Sequence, residues 1–424
     1  MVIDEKEVTG SLPANEDKFF TAPLIIILVT VFIDLIGFGI VLPILPLYAK
    51  GDPFNATPVE IGAVFAVYSL MQFFFTPVLG KLSDRYGRRP ILFFSLMGSA
   101  LGYLVLGLAN TLILVFVGRI ISGVTGGNIS TAQAYIADVT SKENRAKGMG
   151  LFGAAFGLGF ILGPAIAGVL SKYGIHMPFY FAAALSFVNA TILYFVLPES
   201  LRKGLAERAK KSRIAELIES FRQKEYGILN LLYFLLIVAF SMMTYSFVLY
   251  TDHVFGYNAE QNGYLFAFVG LISVVGQGAL FGRLVKRFGE GILAAVGCVF
   301  MVGSLFAIPL VGPASGGLTA LLVICTFMAL GNAFASPSLM SLVSKISHEH
   351  EQGKSLGIMQ SIASLARAIG PSIGGLLLNN ALNSIDNFTI SRTFWTASGI
   401  MFVAFLTSIY FLRVFRTDVV ATEV

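Results

Sequence analysis

The stretch Gly80-Lys81-Leu82-Ser83-Asp84-Arg85-Tyr86-Gly87-Arg88-Arg89-Pro90 places five charged side chains between two long apolar runs, roughly 58–80 and 90–108. Each run has about the 20 residues a helix needs to cross a hydrocarbon core. The stretch therefore reads as a short polar loop joining two membrane spans. Gly80 lets a neighbouring helix approach closely. Gly87 supplies a turn, Pro90 suits a helix start, and Asp84 and Arg88 can pair across the loop.

The pattern returns later in the chain. Gly282-x-Leu284-x-x-Arg287-x-Gly289 repeats the loop 202 residues on, and Gly163-Pro164-x-x-x-Gly168 recurs as Gly370-Pro371-x-x-x-Gly375 after 207. Two matches at nearly one offset imply an internal repeat, and parallel six-helix repeats place a binding site between them near the midplane.

Composition agrees with a bilayer solvent. Of the 424 residues 56% are hydrophobic and 12% charged, where a soluble domain carries about 25% charged residues. Twelve spans are expected, near 22–48, 58–80, 90–108, 111–137, 147–171, 177–197, 227–250, 261–282, 291–311, 316–343, 354–379 and 393–413. The fold class is thus an all-α membrane protein of two pseudo-symmetric six-helix bundles. An N-terminal tail 1–21, a first bundle 22–197, a linker 198–226, a second bundle 227–413 and a tail 414–424 are the expected divisions.

Of the 29 Lys and Arg residues, 24 fall in the tails and the loops after even-numbered spans; Lys50, Lys172 and Arg392 fall opposite, and Arg119 and Arg367 fall inside spans. The positive-inside rule puts both termini in the cytoplasm. Within the linker, Ile214, Leu217, Ile218 and Phe221 have the spacing of a short amphipathic helix on the membrane surface.

The quoted loop resembles the signature loop of the major facilitator superfamily. That resemblance implies a conformational latch of Gly80, Asp84, Arg85, Gly87, Arg88 and Asp138. Asp34-x-x-Gly37 with Pro43 and Pro46, Gly118-Arg119 through Gly126-Gly127 with Ala134-Tyr135-Ile136-Ala137-Asp138, and the span-5 motif Gly159, Gly163, Pro164, Gly168 are similar to the drug:proton antiporter branch. Pro198-Glu199-Ser200 also recurs in its members. The resemblance is nearest to tetracycline and multidrug exporters. The second half departs from the tetracycline exporters: span 8 offers Ser273 and Gln277, and span 9 no acid or histidine. This counts against tetracycline as the substrate.

A charge at the bilayer centre costs at least ~2.5–3.5 kcal/mol, so each one is a candidate for function. Asp34 lies about 12 residues, or ~18 Å, into span 1. A carboxylate there is costly when charged and cheaper when protonated, which suits it to carry a proton. The competing reading is a permanent ion pair with Arg119, for which the resemblance implies a part in proton transfer. Arg367 has no acid near it in its own half. Two arginines against one aspartate favour anionic or zwitterionic substrates. Tyr68, Gln72, Tyr245, Gln277, Asn332 and Arg367 are candidate substrate-binding residues.

The expected function is proton-coupled export of amphipathic organic compounds by alternating access, from the plasma membrane, by a monomer. A facilitator or symporter of a metabolite, such as an organic anion or sugar, is the alternative, and a non-transporting receptor or scaffold the third. No phosphate-binding loop of the G-x-x-x-x-G-K-[ST] type and no nucleophile–base arrangement occurs, so neither ATP-driven transport nor an enzyme is expected. Cys298 and Cys325 give no disulfide framework. Of the scattered histidines only His348 and His350, one residue apart, lie together, in a loop. No cofactor, metal or nucleic-acid partner is expected.

Overall fold

The computed structural model describes residues 19–141, 144–201, 224–347 and 352–420. The tail 1–18, most of the 198–226 linker with its expected surface helix, His348, His350 and residues 421–424 lie outside the described residues.

Among the described residues, twelve helices are long and apolar enough to span a membrane, and there is no strand. They are α1 (Ala22–Lys50), α2 (Pro58–Tyr86), α3 (Arg88–Leu108), α4 (Leu112–Val139), α5 (Lys147–Ser171), α6 (Met177–Val196), α7 (Lys224–Phe255), α8 (Ala259–Phe288), α9 (Glu290–Leu310), α10 (Gly317–Ile346), α11 (Ser355–Leu378) and α12 (Asn387–Val414). In a bilayer every backbone polar group needs an internal partner, and uninterrupted helices supply one.

Two helices run further than hydropathy suggests. The expected loop after Gly80 is helical to Tyr86, and that after Gly282 is helical to Phe288. The connection between α2 and α3 is the single residue Gly87, at φ 109°, and between α8 and α9 the single residue Gly289, at φ 78°. Pro90 accordingly lies inside the first turn of α3. Hydropathy registers only the part of a helix that faces lipid; the polar end of α2 continues as helix beyond it.

The halves repeat the same packing. In the first, α1 packs on α5 and α6, and α3 on α4 and α6; in the second, α7 packs on α11 and α12, and α9 on α10 and α12. One staple recurs almost atom for atom. The Tyr48 hydroxyl donates to Leu106 O at 2.7 Å and Ala109 O at 3.2 Å, tying α1 to the end of α3. Tyr250, 202 residues later, donates to Ile308 O at 2.9 Å and Val311 O at 2.6 Å, tying α7 to the end of α9.

Between the halves, α2 meets α11 and α5 meets α8. The repeated Gly-Pro-x-x-x-Gly motifs make both contacts. A Cβ on Gly62 would lie 2.4 Å from Pro371 O and 3.3 Å from the Gly375 Cα; one on Gly263 would lie 2.7 Å from Pro164 O and 2.6 Å from the Gly168 Cα. Glycine removes the side chain that would hold these backbones apart. Gly159 and Gly163 serve the other side of α5, lying against Leu35, Ile36 and Gly39 of α1.

The closure fades along the helices. A Cβ on Gly270 would still press on Ile161 and one on Gly157 would lie 3.4 Å from Val274, but a Cβ on Gly150, Gly153, Gly278 or Gly282 would stand in open space, with no other helix within 4 Å among the described residues. The molecule is therefore shut at the face where α1 ends and open toward the face of the Gly80–Pro90 segment. On the shut face Lys50 pairs with Asp252, and Lys172 with Glu260 at 2.9 Å, both across the halves. The Glu260 carboxylate, through its hydrogen bond and charge, raises the Lys172 ammonium above the ordinary lysine range.

Candidate functional site

Near the middle of the first half, α4 is interrupted at Gly126-Gly127, and a second helical piece starts at Asn128. Such a break frees backbone groups that must find partners. Gln72 on α2 supplies one, its Nε2 donating to Gly126 O at 2.8 Å. Asn128, buried, turns toward α1 and donates through Nδ2 to Asp34 Oδ2 at 2.9 Å.

Asp34 and Arg119 form no ion pair among the described residues; the alternative of a permanent pair is not what this conformation contains. The Asp34 carboxylate is held by the amide of Asn128. Arg119 is only 3% exposed and stacks over Tyr68, 4.1 Å from the ring centroid, with Phe65 at 5.8 Å and a long contact from Nε to Val64 O at 3.4 Å. A cation over an aromatic face gains from the ring quadrupole, most when desolvated. Tyr68 is packed against Phe38 and lies within electrostatic reach of Asp34, Arg119 and Arg367 together. Arg367, on α11, donates through Nη2 to Ser364 Oγ at 3.1 Å and interacts with Tyr233 of α7. The centre thus gathers Asp34, Tyr68, Gln72, Arg119, Asn128 and Arg367 from both halves. Tyr103 packs beside Gly37, one turn from Asp34, and joins the same electrostatic group.

Other expected residues fall elsewhere. Tyr245 is fully buried; its hydroxyl donates to Pro58 O across the halves and its ring meets Phe65 edge-on. It belongs to the shut end, where tight helix packing leaves no room for a ligand beside it. Gln277 lies exposed on a π-helical turn, Gly276–Phe281, in α8. Asn332 is half-buried on α10.

At the open face Arg88 gathers a cluster. Its Nη1 lies 2.6 Å from Asp84 Oδ1 and donates to Ser83 Oγ at 2.7 Å; its Nε lies 3.3 Å from Asp138 Oδ2. Gly87 is the one-residue turn that aims Arg88 inward, and Gly80 accepts from Ser83 Oγ at 2.8 Å. Arg85 is not brought in: it is exposed and stacks on Tyr86, because it points away from the turn's inner side.

Sequence reasoning missed the role of Glu199. Its carboxylate accepts from the backbone N–H of Arg88 at 2.8 Å, Arg89 at 3.1 Å and Leu201 at 2.9 Å. It caps the start of α3, where unpaired N–H groups and the helix dipole favour an anion. Asn128, Tyr103 and Tyr233 were missed too. The glycine pair before Asn128 was a usable signal for a broken helix; nothing local marked the tyrosines.

The comparisons with known proteins agree with this architecture. The model of the Major Facilitator Superfamily matches residues 27–371 and 314–423. The chain belongs to that superfamily and is a membrane transporter. It is 33% identical to the class B tetracycline resistance protein of Escherichia coli, over 86% of this chain and 90% of that one. It is 31% identical to multidrug resistance protein 2 of Bacillus subtilis, over 86% and 90%. Among solved structures, the human organic anion transporter TETRAN matches at a TM-score of 0.69 and 25% identity, over 91% of this chain and 99% of that one.

Proposed function

We propose that this transporter exports amphipathic organic compounds in exchange for protons, by alternating access, with Asp34 as the proton carrier. The observation that carries the reading is the setting of Asp34: a carboxylate inside the bundle, bonded to a neutral amide and in no ion pair with an arginine among the described residues. A carboxylate locked in an ion pair stays charged; one facing an amide can be neutral in one half-cycle and charged in the other. The relatives named for tetracycline and multidrug resistance support export of organic compounds.

In this reading the termini and the open face are cytoplasmic, as the basic-residue bias requires. The two bundles rock about the central site. Opening outward separates Gly62 from Pro371, Gly168 from Gly263, and the two ion pairs Lys50–Asp252 and Lys172–Glu260. Labels in the 198–226 linker and at both termini are expected to react only from the cytoplasm of intact cells.

The decisive experiment is paired transport in proteoliposomes with and without an imposed proton gradient. Asp34→Asn, a mimic of the protonated form, is expected to abolish gradient-driven efflux while retaining exchange without a gradient. A mutant that still moves substrate uphill on the gradient removes Asp34 from coupling. A wild type indifferent to the gradient replaces the antiporter with a facilitator.

A further inference from the structure

The central site holds more positive charge than its own residues balance. Arg119 is 97% buried by its 3% exposure, yet its guanidinium reaches only an aromatic face and one long carbonyl contact. Its terminal nitrogens hydrogen-bond to no group among the described residues. Arg367, from the opposite half, has one serine hydroxyl. Asp34, the acid that shares their neighbourhood through Tyr68, spends an oxygen on Asn128.

Taking a guanidinium out of water costs several kcal/mol, and a protein ordinarily offsets this with a carboxylate. Here the aromatic faces of Tyr68 and Phe65 offset part of it for Arg119, and tyrosines flank Arg367. Among the described residues neither arginine receives the bidentate acceptor that its planar fork of donors matches best. The group that this fork of donors matches is an anion.

We infer that the substrate carries an anionic group, a carboxylate or sulfonate on an amphipathic body, seated between Arg119 of α4 and Arg367 of α11. This rests on the reading of the central residues as the substrate site. The apolar and aromatic part of the substrate lies against Phe38, Phe65 and Tyr68. A zwitterion is accommodated when its cationic end reaches Asp34. A pure cation adds a third positive charge beside two arginines and is disfavoured. Because the two arginines come from different halves, an anion between them also draws the halves together, so that binding favours closing of the open face.

The alternative for Arg119 is service to Asp34 in another conformation. That role makes no demand on Arg367, so Arg367 is the discriminating residue. The test uses the purified full-length protein in lipid nanodiscs without a pH gradient. Three dyes share one xanthene ring system and differ in charge: fluorescein is anionic, rhodamine B zwitterionic and rhodamine 6G cationic. Binding is read by fluorescence anisotropy.

Wild type is expected to bind fluorescein and rhodamine B at least about tenfold more tightly than rhodamine 6G, the equivalent of about 1.4 kcal/mol. Arg367→Gln is expected to weaken fluorescein about tenfold or more while leaving rhodamine 6G unweakened, and Arg367→Lys to fall between. Tighter binding of rhodamine 6G than of fluorescein by wild type, or no fluorescein binding at all, overturns the inference without any variant. So does an Arg367→Gln protein of unchanged melting temperature that binds fluorescein normally. The two readings fail separately. Fluorescein binding by a protein indifferent to a proton gradient overturns coupling alone; gradient-driven efflux of rhodamine 6G with no fluorescein binding overturns the anion site alone.

Discussion

The start of α3 and the start of α9 are equivalent places in the two halves, and they carry opposite charges. In the first half Arg88 opens α3 and reaches Asp138 at the end of α4. In the second half Glu290 opens α9 and reaches Lys345 near the end of α10, at 2.8 Å. Glu290 lies 202 residues after Arg88 and Lys345 lies 207 after Asp138, the offsets of the repeated motifs. The backbone geometry that brings these positions together has been kept while the sign of the pair has been reversed. What the scaffold fixes is that a pair forms there; which partner is positive is free.

The two clusters differ in size as well as sign. Arg88 is tied to Asp84, Ser83 and Asp138, and Ser200 adds a bond to Asp138 at 3.0 Å. Glu199 caps the turn beside it. Glu290 has Lys345 and Ser341 Oγ at 3.1 Å, and the Lys345 side chain is half exposed. Both anchors are buried, the Arg88 side chain 11% and the Glu290 side chain 10% exposed; the first stands in a network of two carboxylates and a hydroxyl, the second in one ion pair and one hydroxyl bond.

Reversing each pair is the harshest comparison. Glu290→Lys with Lys345→Glu is expected to recover stability to within about 2 kcal/mol of wild type, since the reversed pair keeps opposite charges and meets no second carboxylate among the described residues. Arg88→Glu with Asp138→Arg is expected to lose about 4 kcal/mol or more, because the new carboxylate faces Asp84 and Glu199. Thermal unfolding in nanodiscs reads both; equal recovery of the two swaps would break the comparison.

Single removals come next. Arg88→Gln is expected to cost about 3 kcal/mol, because it removes the buried guanidinium that the Asp84 and Asp138 carboxylates share. Lys345→Gln is expected to cost about 1–2 kcal/mol, because the buried Glu290 carboxylate loses its half-exposed partner and keeps the Ser341 hydroxyl. Apparent melting temperatures that fall equally for both would show the two clusters to be of one strength.

The turns differ more finely. Gly87 and Gly289 both hold a conformation nearly closed to other residues, so alanine at either is expected to cost about 2 kcal/mol of strain. At Gly87 an added Cβ also lies 2.4 Å from Glu199 Oε2, whereas Gly289 meets nothing within 4 Å. Gly87→Ala is therefore expected to cost about 1 kcal/mol more, measured in the same unfolding assay.

The smallest effect on stability concerns Asp84, whose side chain is 40% exposed. Asp84→Asn is expected to shift the balance between open and closed states by about 1 kcal/mol, roughly fivefold in population. Turnover in proteoliposomes falls accordingly, and substrate affinity changes little because Asp84 is far from the central site. Normal turnover with weakened binding would reassign it.

Much of this was legible in the residues. Span number and the repeat offsets follow from apolar run lengths and motif spacing, the scarcity of charge within spans singles out Asp34 and Arg119, and the Arg88–Asp138 cluster is what the resemblance to the superfamily's signature loop implies. Asn128 and Glu199 were not, since their partners lie 94 and 111 residues away. Tyr245 was misread because an aromatic with a hydroxyl looks alike in a binding site and at a packed helix crossing; only the neighbour, Pro58, distinguishes them.

The sequence by itself determined that the chain is a twelve-span helical protein of two repeats, because the hydrocarbon core admits few charges and demands helices of a set length. It also determined where glycine must stand if helices are to touch. The tertiary structure alone decided which helices touch at those glycines, which face is shut, and that Arg119 lies on Tyr68 rather than on Asp34. Such choices depend on distances between segments remote in the chain. A charge's partner is selected among several acceptors by packing, a property of the assembled helices and of no single one.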